Sequence, residues 1–265
     1  MYYKNIVQGT FLSRPNRFIA LVEINGRTET CHVKNTGRCR ELLLPGVCLI
    51  LEHHPDAAEK GRKTAYDVVG VYKEPAGYRK ERLLINMDSQ APNQAAWEWV
   101  QDGGLQKALN GGPQKALPED AACPPSKTPR ISQIRREVTH ESSRFDLAFL
   151  LDGKQAFMEV KGVTLEQNGV AAFPDAPTQR GIKHLNELAA CAGQGIPAFL
   201  LLVIQMEGIL SFRPNMETHP EFGHALARAQ AAGVRLLACD CLVTEHSMCI
   251  RRPVPIDLSE AYTNL

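Results

Sequence analysis

Residues 1–90 are predicted to form a β-domain, because Phe18–Ile24 is rich in Ile, Val and Phe and Arg27–Val33 alternates between apolar and polar side chains. Asn25-Gly26 separates these two runs, which is the strongest short signal for a β-hairpin. A helical turn is predicted at Arg38–Leu43, before Pro45-Gly46. The predicted strands are Phe18–Ile24, Arg27–Val33, Val47–His53, Ala65–Lys73 and Arg82–Asn86. This layout predicts an OB-like β-barrel, a fold that often binds single-stranded nucleic acid, or else a small β-domain that only braces its neighbour.

Residues 91–130 differ in composition from the segments on either side. Pro92 suits the first turn of a helix, and Ala95–Val100 supplies apolar residues for that helix. Gly103-Gly104 and later glycine and proline pairs interrupt any longer helix. The stretch is therefore predicted to be a linker with short helices.

From residue 131 onward, strand-like and helix-like patterns alternate, which is typical of an α/β or α+β domain. Apolar residues recur at helical spacing in 178–192 and 221–232, and Asp175 is predicted to cap the first of these helices. Ala198–Met206 is almost entirely apolar, as a strand buried on both faces should be. The other predicted strands are Glu137–Thr139, Arg144–Leu150, Ala156–Thr164, Val170–Phe173, Val234–Val243 and Met248–Arg251. Residues 131–265 are thus predicted to form a mixed sheet flanked by helices.

The charge of the chain is unevenly distributed. Residues 1–90 carry 14 Lys/Arg against 10 Asp/Glu, whereas the remainder carries 16 against 19. A mildly basic part beside an acidic part is compatible with a polyanion-binding module next to a carboxylate-lined metal site. Ordinary solvated surfaces would produce the same difference.

Several protein classes are disfavoured by what the sequence lacks. The opening MYYKNIVQGT has no apolar segment of a signal peptide, and no run is apolar enough to span a membrane. None of the eight cysteines forms a CxxC pair, which predicts reduced thiols in a cytoplasmic protein. His53-His54, at the end of a predicted strand, is not expected to form a metal site.

The residues that carry candidate chemistry lie on two successive predicted strands. Glu159 and Lys161 are two residues apart, so their side chains share one face of a strand. Asp146 lies on the preceding strand, and Asp152-Gly153 suits a tight hairpin turn between the two. An antiparallel pairing about that turn places Asp146 opposite Glu159.

This trio suits metal-dependent hydrolysis of a phosphodiester. Two converging carboxylates are ligands for a hard divalent cation such as Mg²⁺ or Mn²⁺. The cation can polarise the phosphodiester and lower the pKa of a bound water, while Lys161 orients that water or offsets charge on the phosphate. The alternative is a surface ion pair between Glu159 and Lys161 that performs no chemistry.

Longer motifs resemble the sugar fermentation stimulation protein A (SfsA) family. The resembling segments are HVKNTGRCRELLLPG, SSRFDLAF, MEVKGVTL and FPDAPTQRGIKHLNEL. The spacing D-x12-E-x-K also resembles the PD-(D/E)XK nuclease superfamily. The resemblance covers residues 15–90 and 131–250, while 101–130 looks longer than in the family. It implies an N-terminal OB-like domain, a C-terminal PD-(D/E)XK nuclease-like domain, and binding to DNA.

The same resemblance implies roles for individual residues. Asp146, Glu159 and Lys161 fall on the metal and catalytic positions, with Asp146 and Glu159 as metal ligands. Glu137 matches an upstream acidic position that can complete the site.

Five further residues are candidates for contacting nucleic acid. Arg144 matches the SRxD motif, which favours a place near the site. Arg180 and Lys183 lie on the helix after the ExK strand, where nucleases of this superfamily contact the scissile phosphate; the alternative is a solvated charged face. Asn35 and Arg38 form a polar loop suited either to a phosphate backbone or to a structural turn.

The sequence therefore predicts a divalent-metal-dependent nuclease that hydrolyses DNA or RNA, with a homodimer as one means of cutting two strands. The alternative is a non-catalytic DNA-binding regulator of sugar-utilisation genes, as the family name suggests. No helix-turn-helix with a basic recognition helix supports that alternative. A sugar-kinase phosphate loop, a dinucleotide fingerprint and a glycosidase carboxylate pair are all missing from the sequence.

Overall fold

The computed structural model describes residues 1–35, 37–75, 77, 79–110, 128–141 and 143–263. Within these ranges the strands form two six-stranded sheets and one three-stranded sheet. No helix in the same ranges is both long and apolar enough to cross a membrane. The seven cysteines described there carry free thiols.

The first sheet closes into a barrel. Its strands are β1 (Ile6–Asn16), β2 (Ile19–Ile24), β3 (Arg27–Val33), β4 (Cys48–His53), β5 (Tyr66–Lys73) and β6 (Leu83–Asn86). Antiparallel pairing runs β3-β2-β1-β4-β5-β6, and a parallel pairing of β3 with β5 closes the ring of five strands. The predicted OB-like barrel is thereby confirmed. Asn25 and Gly26 form the predicted hairpin turn, with φ of 51° and 75° as a type I′ turn requires.

One strand of the barrel lies outside the predicted pattern, and one predicted turn agrees with it. The strand β1 was not predicted because only Phe11 is buried and its apolar residues follow no clear period. At the predicted helical turn Arg38–Leu43, the backbone N–H groups of Leu42 and Leu43 donate to Cys39 O at 3.2 and 3.0 Å. Cys39, at the start of this turn, has a φ of 44°.

The second six-stranded sheet is mixed. Its order is β15-β14-β12-β9-β8-β7, in which β9, β12 and β14 are parallel and the outer strands are antiparallel. The strands are β7 (Ile131–His140), β8 (Ser143–Leu151), β9 (Lys154–Val163), β12 (Ala198–Ile204), β14 (Arg235–Val243) and β15 (Met248–Pro253). The three-stranded sheet contains β10 (Leu165–Gln167), β11 (Val170–Phe173) and β13 (Ser211–Pro214).

Helices cover both faces of the mixed sheet. They are α1 (Ala91–Gln101), α2 (Gly104–Asn110), α3 (Gln179–Gly193), α4 (Pro220–Ala231) and α5 (Ser259–Tyr262). Phe199, Leu201 and Val203 of β12 pack with the buried side of α1, whereas Leu200 and Leu202 pack with α3 and α4. Each residue of β12 is buried, which confirms the predicted strand that is covered on both faces.

Part of the predicted linker 91–130 packs into the C-terminal core. The helix α1 begins with Pro92 in its first turn, as predicted, and buries Ala95, Ala96 and Val100 against the mixed sheet. It is therefore part of the C-terminal core. Residues 111–127 of the predicted linker lie outside the described residues.

A buried amide joins the barrel to the mixed sheet. Gln205 directly follows β12, and its Nε2 donates to Asn86 O at 3.1 Å, Asn86 Oδ1 at 2.9 Å and Asp88 O at 3.0 Å. A second link is the ion pair of Lys73 Nζ with Glu166 Oε2 at 2.5 Å. These contacts hold the end of the barrel beside β9 and β12, the strands that frame the candidate site.

Candidate active site

The hairpin of β8 and β9 determines where the candidate catalytic residues lie. Asp152 and Gly153 have φ of 51° and 81°, and the strands pair from Leu151↔Lys154 to Leu147↔Met158. This is the register predicted from the sequence, and it brings Asp146 next to Glu159. The pairing ends there, and the Asp146 side chain lies in the gap, where its Oδ2 accepts from the backbone N–H of Val160 at 2.8 Å.

Asp146 is held from a second direction by the helix α1. The Nδ2 of Asn93 donates to Asp146 Oδ1 at 2.8 Å. Both carboxylate oxygens of Asp146 therefore have a donor, and the side chain remains half-buried. Such fixed orientation is what a metal ligand or a catalytic carboxylate requires.

Glu159 and Lys161 project to the opposite face of β9 from Met158 and Val160, toward α3. Lys161 Nζ donates to Glu159 Oε1 at 2.5 Å. His184 of α3 bonds to the same oxygen through Nδ1, which lies 3.2 Å from Lys161 Nζ. Glu159 is only 3% exposed, whereas Lys161 and His184 are 15% and 13% exposed, so the lysine and the histidine form the accessible rim.

The hydrogen bonds indicate which nitrogen of His184 carries the proton. Its Nε2 accepts from Arg180 Nε at 3.3 Å. A neutral imidazole that accepts through Nε2 must donate through Nδ1, and Nδ1 is the atom that faces Glu159. Arg180 thus acts on Glu159 through His184, because it fixes the tautomer and the ring orientation.

The two carboxylic acids have pKa values displaced in opposite directions. Burial, followed by the negative charge of Glu159, raises the pKa of Asp146 despite the hydrogen bonds from Val160 and Asn93. Burial also opposes the ionised form of Glu159, but the His184 hydrogen bond and the Lys161 charge outweigh it and lower its pKa. Neighbouring acids with divergent pKa values are typical of sites that perform chemistry.

Asp146 and Glu159 offer the type of ligand atom that a divalent cation prefers. Among the residues that the structure describes, only Oε1 of Glu159 is hydrogen-bonded, which leaves Oε2 available as a ligand. The charge of Glu159 raises the pKa of Asp146, and a cation bound by both carboxylates would remove that repulsion. Oxygen ligands of this kind suit Mg²⁺, Mn²⁺ or Ca²⁺.

The predicted residues Glu137 and Arg144 lie at the edge of this cluster. Arg136↔Leu147 and Val138↔Phe145 are paired, so Glu137 is in register with Asp146 on the neighbouring strand β7. However, its carboxylate is 60% exposed and forms an ion pair with Arg144 at 2.5 Å. The pair lies outside the hydrogen-bonded cluster, and the predicted role of Glu137 as an additional ligand stays a prediction.

The helix α3 brings a different residue into the site than the sequence predicted. Lys183 is 66% exposed and pairs with Glu187 at 3.6 Å, as expected for a solvated helix face. His184, one position further, contacts Glu159 directly. The signal in the sequence was its spacing of four from Arg180, which places both on one face. Asn93 had no such signal, because α1 approaches from a distant part of the chain.

Comparison with known proteins identifies the family. Residues 91–247 match the family model described as the sugar fermentation stimulation protein RE domain, and residues 12–78 match the SfsA N-terminal OB domain. The chain belongs to the SfsA family. The resemblance of the four segments to this family is confirmed.

Relatives within the SfsA family are similar over nearly the full chain. A sugar fermentation stimulation protein homolog of Desulfitobacterium hafniense (strain Y51) is 48% identical over 94% of both chains. A homolog of Clostridium beijerinckii is 44% identical over 97% of this chain and 100% of its own. The structure of Pyrococcus furiosus SfsA in complex with Ca²⁺ matches with a TM-score of 0.76 and 25% identity, covering 97% of this chain and 98% of that chain.

The SfsA OB domain carries a basic cavity next to the C-terminal unit. The cavity has a volume of about 590 Å³, and its lining includes Arg14, Arg17, Arg38 and Arg40. Arg14 donates to the backbone carbonyls of Arg17, Asn35, Gly37 and Arg38, so it holds the loop in place. In the described ranges, the other three arginines lining the cavity have no ion-pair partner, and all three are exposed. Their charges are available to a polyanion.

The side chain of Asn35 stabilises the loop and does not line the basic cavity. Its Oδ1 accepts from the Gly37 backbone N–H at 2.7 Å, which is the structural turn that the sequence allowed. Gly37 packs so closely against the loop before α3 that a Cβ there would lie 2.5 Å from Asp175 Oδ2. Asp175 is not the helix cap that was predicted. Thr178 caps α3, because its Oγ1 accepts from Gly181 N at 3.0 Å.

A second cavity connects the basic cavity to the strand that carries Lys161. It has a volume of about 320 Å³ and is lined by residues from the barrel, β9 and the loop before α3, among them Gly37, Gly162 and Ala176. Gly37 and Ala176 also line the basic cavity. Because they share these residues, the two cavities form a continuous surface from the arginines to Gly162 of β9, which faces Pro92 and Gln205 on the opposite side of the strand from Lys161.

Proposed function

We propose that this SfsA protein is a divalent-metal-dependent nuclease that hydrolyses phosphodiester bonds in DNA, with RNA as the other candidate substrate. The observation that carries the proposal is the convergence of Asp146, Glu159, Lys161 and His184 at one half-buried site. A surface ion pair would need no orienting partners. Here Asn93, Val160 and His184 each hold a carboxylate oxygen.

The residues of the site would have separate roles. Asp146 and Glu159 would hold the cation, and His184 keeps Glu159 ionised and oriented. When bound, a divalent cation such as Mg²⁺ or Mn²⁺ would polarise the phosphodiester and make an adjacent water more acidic. Lys161 would orient that water or offset the charge that grows on the phosphate oxygens. The Pyrococcus furiosus SfsA structure is a complex with Ca²⁺, a hard dication of the class that such carboxylates bind.

The arginine cavity would supply affinity for the substrate backbone. Arg17, Arg38 and Arg40 have no ion-pair partner among the described residues, and their guanidinium groups match phosphate geometry. The continuous surface ends at Gly162, so a strand held there would have to pass around β9 to reach Lys161, which lies on the other face of that strand. Phe18, 48% exposed and stacked with Arg17 at 5.5 Å, offers a platform for an unpaired base. This combination favours a single-stranded segment of the substrate.

Cleavage assays with matched lysine variants test the proposal. Purified protein is incubated with labelled single- and double-stranded DNA and RNA in Mg²⁺, Mn²⁺ or EDTA. Lys161→Ala is expected to reduce the cleavage rate by about 10²–10³-fold while nucleic-acid binding persists. Lys154→Ala, an exposed lysine at the start of the same strand, should cleave as the wild type does. Light scattering of the same sample tests the predicted homodimer.

A non-catalytic nucleic-acid-binding protein is the second candidate, and the basic cavity favours it because binding there needs no metal. In that case no metal would support cleavage, whereas affinity would still fall steeply with salt. Cleavage that Lys161→Ala leaves unchanged would point to a contaminating enzyme and would refute the proposed site.

A further inference from the structure

A second cluster of metal-ligating side chains lies on the OB barrel and shares no residue with the candidate active site. Glu52 and Asp67 face each other across the strands β4 and β5, which pair Glu52↔Asp67. His54 follows Glu52 by two residues. One ligand atom from each of Glu52, His54 and Asp67 lies within 4.8 Å of the others.

Both carboxylates have one oxygen anchored and the other turned toward His54. Glu52 Oε1 accepts from the backbone N–H of Lys4 at 3.0 Å, which leaves Oε2 facing His54 Nε2 at 3.9 Å. Asp67 Oδ1 is held by Arg62 at 2.7 Å and by His32 Nδ1 at 3.1 Å. Asp67 Oδ2 therefore faces His54 Nε2, at 3.0 Å.

We propose that Glu52, His54 and Asp67 bind a divalent cation of the zinc class at this position. Ligand atoms around a tetrahedral cation with bonds of about 2.0–2.2 Å are separated by about 3.3–3.6 Å. The distances of 3.0 and 3.9 Å from His54 Nε2 to the two carboxylate oxygens lie on either side of that range, so the side chains would have to shift when a cation binds. The fourth position would be taken by water.

The choice of cation follows from the donor set. An imidazole nitrogen with two carboxylate oxygens suits Zn²⁺, whereas Mg²⁺ prefers oxygen alone and keeps several waters. Arg62 remains on the oxygen of Asp67 that does not face the site, so its charge is compatible with a bound cation. Side-chain exposures of 23% for His54, 17% for Glu52 and 6% for Asp67 give a partly dry site with access from solvent.

This site departs from what the sequence indicated, because His53-His54 was not expected to bind metal. Neighbouring residues of a strand point to opposite faces. His53 stacks on Tyr66, with ring centroids 4.7 Å apart, and takes no part in the cluster. Only His54 meets the carboxylates: Glu52, two residues earlier, shares its face of the chain, and Asp67 comes from the neighbouring strand β5. A bound cation would fasten β4 to β5 near the end of the barrel.

The test uses full-length protein treated with EDTA and then titrated with ZnCl₂ by calorimetry. A Glu159→Gln variant removes the candidate active site as a competing ligand set and is expected to retain a single equivalent of Zn²⁺. In that background, His54→Gln and Glu52→Gln should each weaken binding by at least about tenfold. His53→Gln is the matched control and should bind as the parent does. Co²⁺ in place of Zn²⁺ should give the visible absorption of a four-coordinate site.

Two results would overturn the inference. The first is the absence of stoichiometric Zn²⁺ in the Glu159→Gln protein, since the cluster would then be a hydrogen-bond network of the barrel and not a metal site. The second is unchanged affinity in both His54→Gln and Glu52→Gln. Circular dichroism of Glu52→Gln checks the fold, and the glutamine oxygen can still accept from Lys4. Neither result depends on whether the protein cleaves nucleic acid.

Discussion

Replacing Gln205 by methionine tests whether the barrel and the mixed sheet are held together by its amide. The substitution keeps the volume of the side chain but removes both N–H donors. Nε2 has two hydrogens for three acceptors, Asn86 O, Asn86 Oδ1 and Asp88 O, so at least one contact is shared. Each net hydrogen bond stabilises the fold by about 1 kcal/mol, and each buried acceptor left without a donor costs about 1–3 kcal/mol.

These contributions predict a loss of about 2–4 kcal/mol in the free energy of unfolding, because Gln205 is 1% exposed and water cannot replace the donors. Urea titration followed by circular dichroism measures this loss as a lower midpoint at unchanged slope. Gln8→Met is the matched control. Gln8 is exposed; it donates to Glu245 and accepts a weak hydrogen bond from Cys48 Sγ at 3.7 Å, so replacing it should change stability by less than about 0.5 kcal/mol.

The reasoning would be refuted by a loss below about 1 kcal/mol, or by equal losses in Gln205→Met and Gln8→Met. Either result would mean that the junction is held by its backbone hydrogen bonds and apolar contacts alone. A changed slope in urea would indicate instead that the barrel and the mixed sheet unfold separately in the variant.

Three further predictions concern metal affinity, nucleic-acid binding and pH. His184→Ala should raise the Mn²⁺ concentration for half-maximal cleavage by about 10–100-fold, because Glu159 would lose the histidine that orients its carboxylate. An unchanged Mn²⁺ requirement would contradict this prediction. Changing Arg38 and Arg40 together to alanine should reduce the slope of log K against log salt by about 1.4 for single-stranded DNA, as measured by fluorescence anisotropy, and an unaltered slope would exclude the basic cavity. Burial, followed by the charge of Asp175, raises the pKa of Glu41, so the fold favours its protonated form. Wild-type stability should therefore fall as pH rises through the unfolded pKa of about 4.3 toward the folded pKa, and Glu41→Gln should raise the melting temperature at pH 7 but not at pH 3.

The hairpin that carries the candidate site was accessible to sequence reasoning because its information is local. Asp152-Gly153 is a turn signal, and a turn of known length fixes the register of the strands that it joins. Glu159 and Lys161 follow from strand periodicity. The strand β12 was equally clear, since seven apolar residues in a row have no solvent-facing side.

Other parts of the fold could not be predicted, because their determinants are not local. The polar strand β1 is held by pairing with β2 and β4 rather than by an apolar pattern of its own. Asn93 reaches Asp146 only because α1 packs across the face of β9. His184 and Lys183 are adjacent polar residues on one helix, and only the tilt of α3 on the sheet decides which one contacts Glu159. Asp67 likewise reaches Glu52 and His54 only through the antiparallel pairing of β5 with β4.

The amide of Gln205 limits how this architecture can be divided. Gln205 directly follows β12 and packs against Gly162, because a Cβ at Gly162 would lie 2.5 Å from Gln205 Oε1. The barrel is therefore held next to β9, the strand that carries Lys161. A fragment that starts at residue 91 would lack Asn86 and Asp88, and the side-chain N–H donors of Gln205 would then have no acceptors there. Transplanting only one half between relatives should consequently disturb the other, and chimeras are expected to work only when residues 86–88 and 205 come from the same parent.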